Sequence, residues 1–260
     1  MRIQNKVAIV TGAGGDIGRE IALRLAEEGA RIVASDVTEA GLAATVAAVK
    51  AAGFEAIALK ADVTQAASVA DLMAGAIKHY GRIDILVNCH GIAIPGALTE
   101  ASDEDFDQTI AINLKGVYLT CKAAVQEMLK SGGGAIVNLS SISGLRGTGP
   151  MTAYNASKGG VNLLTYNIAS GYKDKGIRCN AICPVNVETR MADKVTDYYA
   201  KQYGMPAEAM QEMMLQNHPL KRYVKPREIA HAVLFLASDE ALCINGVALN
   251  IDQGMGPYVM

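Results

Sequence analysis

The sequence predicts a doubly wound α/β fold, a parallel sheet with helices packed on both faces. Three observations predict it. Short apolar, β-branched runs recur along the chain, segments with helical spacing lie between them, and half of the 260 residues are hydrophobic while only 19% are charged. Alternating strand and helix make a parallel sheet joined by right-handed crossovers, and a sheet covered on both faces needs continuously apolar strands.

The predicted strands are residues 7–10, 31–34, 56–59, 83–87, 135–139 and 178–182. Each is a run of the length and composition of a buried strand. Between them, segments such as 17–28 and 67–80 space their apolar residues as a helix face does. Two regions break this rhythm. One is the glycine-rich connection at 143–150. The other is the stretch at 187–220, which carries Met191, Met205, Met210, Met213 and Met214 with Tyr198, Tyr199 and Tyr203 and is too long for an ordinary connecting loop. Both are candidate substrate-facing parts, and the second is read as a substrate lid, although its methionines also suit a helix face packed on the core. No repeat or shift in composition marks a boundary, so residues 1–260 are read as one domain.

Composition narrows the function. The formal net charge is -2 and the lysines and arginines are scattered, so there is no electrostatic footprint for nucleic acid or an anionic membrane surface. The five cysteines are odd in number and contain no C-x-x-C pair, which argues against a disulfide framework or a zinc site, and no metal is expected. No apolar run approaches the roughly 20 residues needed to span a bilayer. The apolar start of the chain soon meets Gly12, Gly14 and Gly15, so no export signal is read and a cytoplasmic location follows by default. What remains is chemistry on a small molecule.

The first strand runs into Thr11-Gly12-Ala13-Gly14-Gly15-Asp16-Ile17-Gly18, which opens the first helix. Glycines in such a turn let the backbone approach a pyrophosphate, whose charge is favoured at a helix N-terminus. Asp36 ends the second strand, 18 residues beyond Gly18. A carboxylate there can accept both ribose hydroxyls of NAD and would repel the 2'-phosphate of NADP, so NAD is the expected cofactor; the alternative is a surface Asp capping the helix after Thr38.

This pattern resembles the short-chain dehydrogenase/reductase family, whose glycine motif is T-G-x-x-x-G-x-G, with Asp16 here in place of the middle glycine. The resemblance implies a Rossmann-like sheet of about seven strands and continues through the chain. Asp62 and Val63 match the residues that meet the adenine ring. Asn88 and Gly91 match two positions of the family's N-N-A-G, where Cys89 and His90 are departures. A lone histidine beside a cofactor is more often packed or hydrogen-bonded than a proton carrier, and His90 is read so.

Oxidising a secondary alcohol needs a group to move the hydroxyl proton, and a tyrosine serves if a cation one helical turn away stabilises its phenolate. Tyr154 and Lys158 have that spacing, but so do Tyr118 and Lys122. Ser141 separates the two pairs, because it ends the fifth strand 13 residues before Tyr154, whereas Asp105 holds the equivalent place before Tyr118. Ends of parallel strands are where such sheets bind ligands. The same Ser, Tyr and Lys spacing is the family's signature. It implies that Ser141 holds the substrate oxygen, that Tyr154 is the acid/base, and that Lys158 binds the nicotinamide ribose and depresses the tyrosine pKa. Ser140 and Ser143 are nearby alternatives. Asn113 resembles the family's asparagine that kinks its helix and steadies a proton-relay water. Pro184, Val187 and Thr189 resemble its P-G-x-x-x-T segment over the nicotinamide, with Val185 in place of glycine.

Arg146 and Arg190 are the arginines of the two candidate substrate-facing segments, and either could bind an anionic group on the substrate. The expected activity is hydride transfer between NAD(H) and a small secondary alcohol or ketone of the polyol, sugar or vicinal-diol kind. The alternatives are a 3-oxoacyl-thioester reductase and a non-catalytic NAD-binding sensor or interaction protein. The resemblance also implies a homotetramer, built partly through long helices starting near Asp103 and Thr152.

Overall fold

The structure is a computed structural model and describes residues 1–256. Seven strands, β1 (Val7–Thr11), β2 (Arg31–Asp36), β3 (Ala56–Lys60), β4 (Ile85–Asn88), β5 (Gly134–Leu139), β6 (Ile177–Pro184) and β7 (Ala248–Ile251), form one sheet in the order β3-β2-β1-β4-β5-β6-β7. Every neighbouring pair is parallel. The six expected strands are all present. Only β7, a half-buried edge strand, comes from a segment that carried no separate strand signal.

Nine helices are described: α1 (Asp16–Glu27), α2 (Glu39–Ala51), α3 (Ala66–Tyr80), α4 (Asp103–Ile110), α5 (Gly116–Lys130), α6 (Thr152–Tyr172), α7 (Arg190–Tyr203), α8 (Ala207–Gln216) and α9 (Pro226–Ala237). Strand residues alternate between the two faces, and both faces are apolar. Ala8 and Val10 pack with Ile21 and Leu25 of α1 and Ile229 and Val233 of α9. Val7 and Ile9 pack on the other side with Leu72 of α3, Val117 of α5 and Val161 of α6. This two-sided burial explains why the central strands lack polar alternation.

The strand order reverses between β1 and β4, and the carboxyl ends of all strands open on one rim. A crevice forms at such a reversal, and ligands of this architecture bind there. The helix expected from Asp103 is interrupted: α4 gives way to one π turn at Ala111–Lys115 before α5 continues. The stretch at 187–220 folds as α7 and α8. Its methionines divide, with Met210 buried and Met191 and Met213 exposed. The Tyr199 hydroxyl stands against Gly149, where an added Cβ would lie 2.8 Å from it, so the two regions that break the sequence rhythm meet in space. No helix among the described residues is long and apolar enough to cross a membrane. All five cysteines are free.

Candidate active site

The β1–α1 turn is shaped by crowding. Gly12 has φ +64°, and an added Cβ there would lie 2.7 Å from the His90 backbone; at Gly18 it would overlap the Gly12 carbonyl oxygen. The Gly15 N-cap of α1 has no side-chain cap, unlike Ser102 at α4 and Thr189 at α7. An uncapped helix N-terminus behind a close-packed glycine turn fits the pyrophosphate of a dinucleotide. Asp36 borders it. Its Oδ2 accepts from the Gly14 amide at 2.9 Å, while Oδ1 accepts from the Thr38 amide at 2.8 Å and the Thr38 hydroxyl at 2.6 Å. One carboxylate therefore both caps the following turn and faces the glycine turn. Asp62 accepts from the Thr64 amide and hydroxyl, and Val63 packs towards Gly116.

Asp16 does not occupy a left-handed backbone. It is the first residue of α1, and the described non-glycine residues with positive φ are Asn5, Lys221 and Gln253. The substitution for glycine therefore carries no strain. Its carboxylate accepts from the Arg190 amide at 3.0 Å and from Arg190 Nε at 3.2 Å, and Arg190 Nη2 reaches the Gly14 carbonyl at 3.4 Å. Arg190, expected near the substrate, thus lies at the phosphate cradle. Arg146 donates from Nη1 to the Gly256 carbonyl at 3.1 Å.

At the end of β5 the three serines separate. Ser140 donates to the Lys158 carbonyl at 3.1 Å, and Ser143 pairs with the Thr148 hydroxyl at 2.6 Å. Ser141 accepts from the Ser143 amide at 3.1 Å, and its hydroxyl lies near enough to the Tyr154 phenol to favour the ionised form. One turn further along α6, Lys158 is buried with Nζ 5.6 Å from the Tyr154 ring centroid. That ammonium donates to the Leu139 carbonyl at 2.7 Å. The structure thus brings Ser141, Tyr154 and Lys158 together at the carboxyl end of the sheet.

The electrostatics differ from the expectation of a depressed phenol. Burial raises the Tyr154 pKa, and the Ser141 hydroxyl opposes it. Burial brings Lys158 down to about 8. The ammonium is held at the Leu139 carbonyl and lies over the ring, not at the hydroxyl. In this arrangement the phenol keeps its proton at neutral pH, the state of an acid for carbonyl reduction.

Asn113 sits inside the π turn, fully buried. Its Oδ1 accepts from the Ile92 amide at 2.8 Å, and its Nδ2 donates to the Ile92 carbonyl at 2.9 Å and to Ser157 at 3.1 Å. The side chain fastens the loop after β4 to α6. Gly91, in that loop, leaves room for both groups, since an added Cβ would lie 3.3 Å from Asn113 Oδ1 and 3.5 Å from Lys158 Nζ.

Asn88, expected at the cofactor, turns its side-chain amide into the sheet. Its side chain is wholly buried, donating to Asn138 Oδ1 at 2.9 Å and accepting from Thr120 at 2.7 Å, and Asn138 in turn donates to Thr165 at 2.9 Å. This network lies within the sheet and joins β4, β5, α5 and α6. Asn138 was not singled out in the sequence, although an asparagine inside the run Ile136-Val137-Asn138-Leu139 signals a buried polar group needing partners. The segment after β6 pairs with residue 224: the Val224 amide donates to the Asn186 carbonyl and the Glu188 amide to the Val224 carbonyl, which turns the Val187 peptide groups the other way. Val185 is buried in the core, and Pro184 ends β6. The second Tyr-Lys pair keeps its spacing but lies outside, with Tyr118 exposed on α5.

His90 is buried, and its Nδ1 shares a 2.7 Å hydrogen bond with the Thr11 hydroxyl. Burial, aided by the Lys158 charge, holds its pKa at about 3 against an ordinary 6.5. The folded ring stays neutral while the unfolded chain takes up a proton below pH 6.5. Stability is therefore lost as pH falls from about 6.5 towards 3, by up to about 1.4 kcal/mol per pH unit. His90→Ala is expected to reduce the drop in Tm between pH 7 and pH 5, whatever it does to Tm at pH 7. Equal drops in both proteins would show that this ring does not set the acid limb. Among the described residues, no group of three or more His, Cys, Asp or Glu is arranged to hold a metal ion.

The family model described as Enoyl-(Acyl carrier protein) reductase matches residues 12–256. The chain is 40% identical to D-threitol dehydrogenase of Mycolicibacterium smegmatis over 97% of this chain and 94% of that one. It superposes on an actinorhodin polyketide ketoreductase with NADPH at TM-score 0.95 and 36% identity, covering 97% of this chain and 98% of that one. With NAD+-bound xylitol dehydrogenase the TM-score is 0.94 at 33% identity, covering 98% of this chain and all of the other.

Proposed function

Because the chain belongs to the short-chain dehydrogenase/reductase family, we propose that it transfers a hydride between NAD(H) and a small secondary alcohol or ketone of the polyol, sugar or vicinal-diol kind. The observation that carries this reading is the meeting of Ser141, Tyr154 and Lys158 at the sheet's carboxyl end. When bound, the nicotinamide supplies or accepts the hydride. Tyr154 gives its phenolic proton to the carbonyl oxygen in reduction and receives it in oxidation, while Ser141 holds that oxygen. Lys158 would hold the nicotinamide ribose, and Asn113 fixes the loop after β4 against α6. The segment that forms α7 and α8 acts as the substrate lid. The polyol preference is supported by the relatives named for threitol and xylitol.

NAD is the better fit on the adenosine side. A side chain at Gly14 would meet the Asp36 carboxyl at 3.0 Å, and that carboxylate would stand against any 2'-phosphate. The test is a panel of secondary alcohols and ketones with both cofactors, scored by kcat/KM. NAD is expected to be preferred by about tenfold or more, the effect of placing like charges together, and Asp36→Ala is expected to narrow the gap. Equal constants for both cofactors in the unmodified protein would remove Asp36 from this role. Preferred turnover of 3-oxoacyl thioesters with NADPH would replace the alcohol reading.

A further inference from the structure

We propose that Arg190 is a ligand of the cofactor's pyrophosphate, held in place by Asp16, and that through this contact cofactor binding fastens the first turn of α7 over the crevice. The proposal rests on the dinucleotide reading of the glycine turn.

The argument begins from charge. Asp16 puts a carboxylate on the first residue of α1, at the helix end where a pyrophosphate is also favoured. Two anions at one helix end repel unless a cation lies between them. Burial raises the Asp16 carboxyl, but hydrogen bonds from the Arg190 amide and guanidinium outweigh it and hold the group ionised. Arg190 therefore cancels the charge that Asp16 introduces. Its Nε sits 3.2 Å from both Asp16 oxygens and its Nη2 sits 3.4 Å from the Gly14 carbonyl, so the guanidinium plane is fixed over the cradle.

A guanidinium has five N–H donors in a fork that matches phosphate oxygens. The Arg190 side chain is 70% exposed, so much of that fork remains accessible at the mouth of the turn. An ion pair this open contributes little by itself and is screened by salt, so it does not hold α7 closed alone. A pyrophosphate at the same point would accept from the guanidinium and join the β1–α1 turn to α7. Arg190 is the first residue of α7, directly after the cap Thr189, so the contact acts on the lid at its root. Asp16 is a positioning residue in this arrangement.

The test measures binding without turnover. ADP-ribose and adenosine compete with NADH fluorescence on the wild type, Arg190→Ala, Arg190→Lys, Asp16→Asn and the double variant Asp16→Asn/Arg190→Ala. Arg190→Ala is expected to weaken ADP-ribose about tenfold or more and to leave adenosine within about twofold, with Arg190→Lys between, because only the first probe carries phosphates. The double variant is expected to recover only the part of that loss due to the uncompensated carboxylate and to stay several-fold weaker than Asp16→Asn, because the phosphate ligand itself is still missing. Unchanged ADP-ribose affinity in Arg190→Ala, equal weakening of adenosine, or a double variant that binds ADP-ribose as tightly as Asp16→Asn would overturn the proposal. A shift confined to the KM of an anionic substrate would do the same and return Arg190 to the substrate side. A wild type that binds neither NADH nor ADP-ribose would overturn the dinucleotide reading with it.

Discussion

Tyr154→Phe is expected to lower kcat at least a hundredfold while leaving NADH affinity within about twofold of wild type, because general acid–base catalysis supplies typically 10²–10⁴ and the change removes only the proton-bearing oxygen. The ring remains, so the packing of α6 and the 5.6 Å approach of Lys158 Nζ to the ring centroid persist. The polar approach to Ser141 is lost with the hydroxyl. Steady-state turnover and NADH fluorescence titration check both halves. Activity within tenfold of wild type would take the proton step away from Tyr154, and a matching loss of NADH binding would make its contribution structural. Tyr118→Phe is the control. Tyr118 is exposed, with Lys122 Nζ 5.9 Å from its ring centroid, and its removal is expected to leave turnover unchanged.

Those two tyrosines show what the sequence can decide. Both pairs have the i, i+4 spacing, and a helix face alone does not separate them. Position relative to a strand end does, because the rim of a parallel sheet is fixed by its connections. The five interior strands were legible for the same reason, being apolar on both faces; the edge strand β3 was found by its apolar run despite partial exposure, and the half-buried edge strand β7 was not. The asparagines were harder. Asn88 reads as a residue at the end of a strand beside a cofactor, but its amide turns inward to Asn138 and Thr120, a choice set by partners 32 and 50 residues away. The surroundings of Arg190 were illegible for a related reason. Its partner Asp16 lies 174 residues earlier, and no local pattern joins the two. Asp16 stands where the motif has a glycine, and the fold makes it the first residue of an unstrained helix whose carboxylate finds a guanidinium.

Gly18→Ala is expected to have the second largest effect, on both binding and stability. Gly18 lies in the first turn of α1 with no unusual backbone angle, so the cost is one of space. An added Cβ would overlap the Gly12 carbonyl oxygen and lie 2.8 Å from Ala13 Cα, both backbone atoms that cannot rotate away as a side chain would. The first turn of α1 must then move off the β1–α1 turn. That move opens the cradle at the place where amide groups must approach a pyrophosphate. Overpacking of this kind typically costs about 1–3 kcal/mol, and α1 is pinned behind by Ile21 and Leu25 in the core, so little of the strain can be relieved by tilting the helix. The expected result is a lower Tm together with NADH affinity weakened about tenfold or more, the larger loss being in binding because the displaced atoms line the site. Gly171→Ala separates this from a general intolerance of methyl groups. It lies near the end of α6, where an added Cβ meets nothing within 4 Å, and the exchange is expected to be neutral or to stabilise by about 0.4–1 kcal/mol. NADH titration and thermal unfolding of the two variants side by side decide the matter. If Gly18→Ala kept wild-type NADH affinity, the cradle would not depend on the close approach of α1 to the β1–α1 turn, and the pyrophosphate would have to be held elsewhere in the crevice.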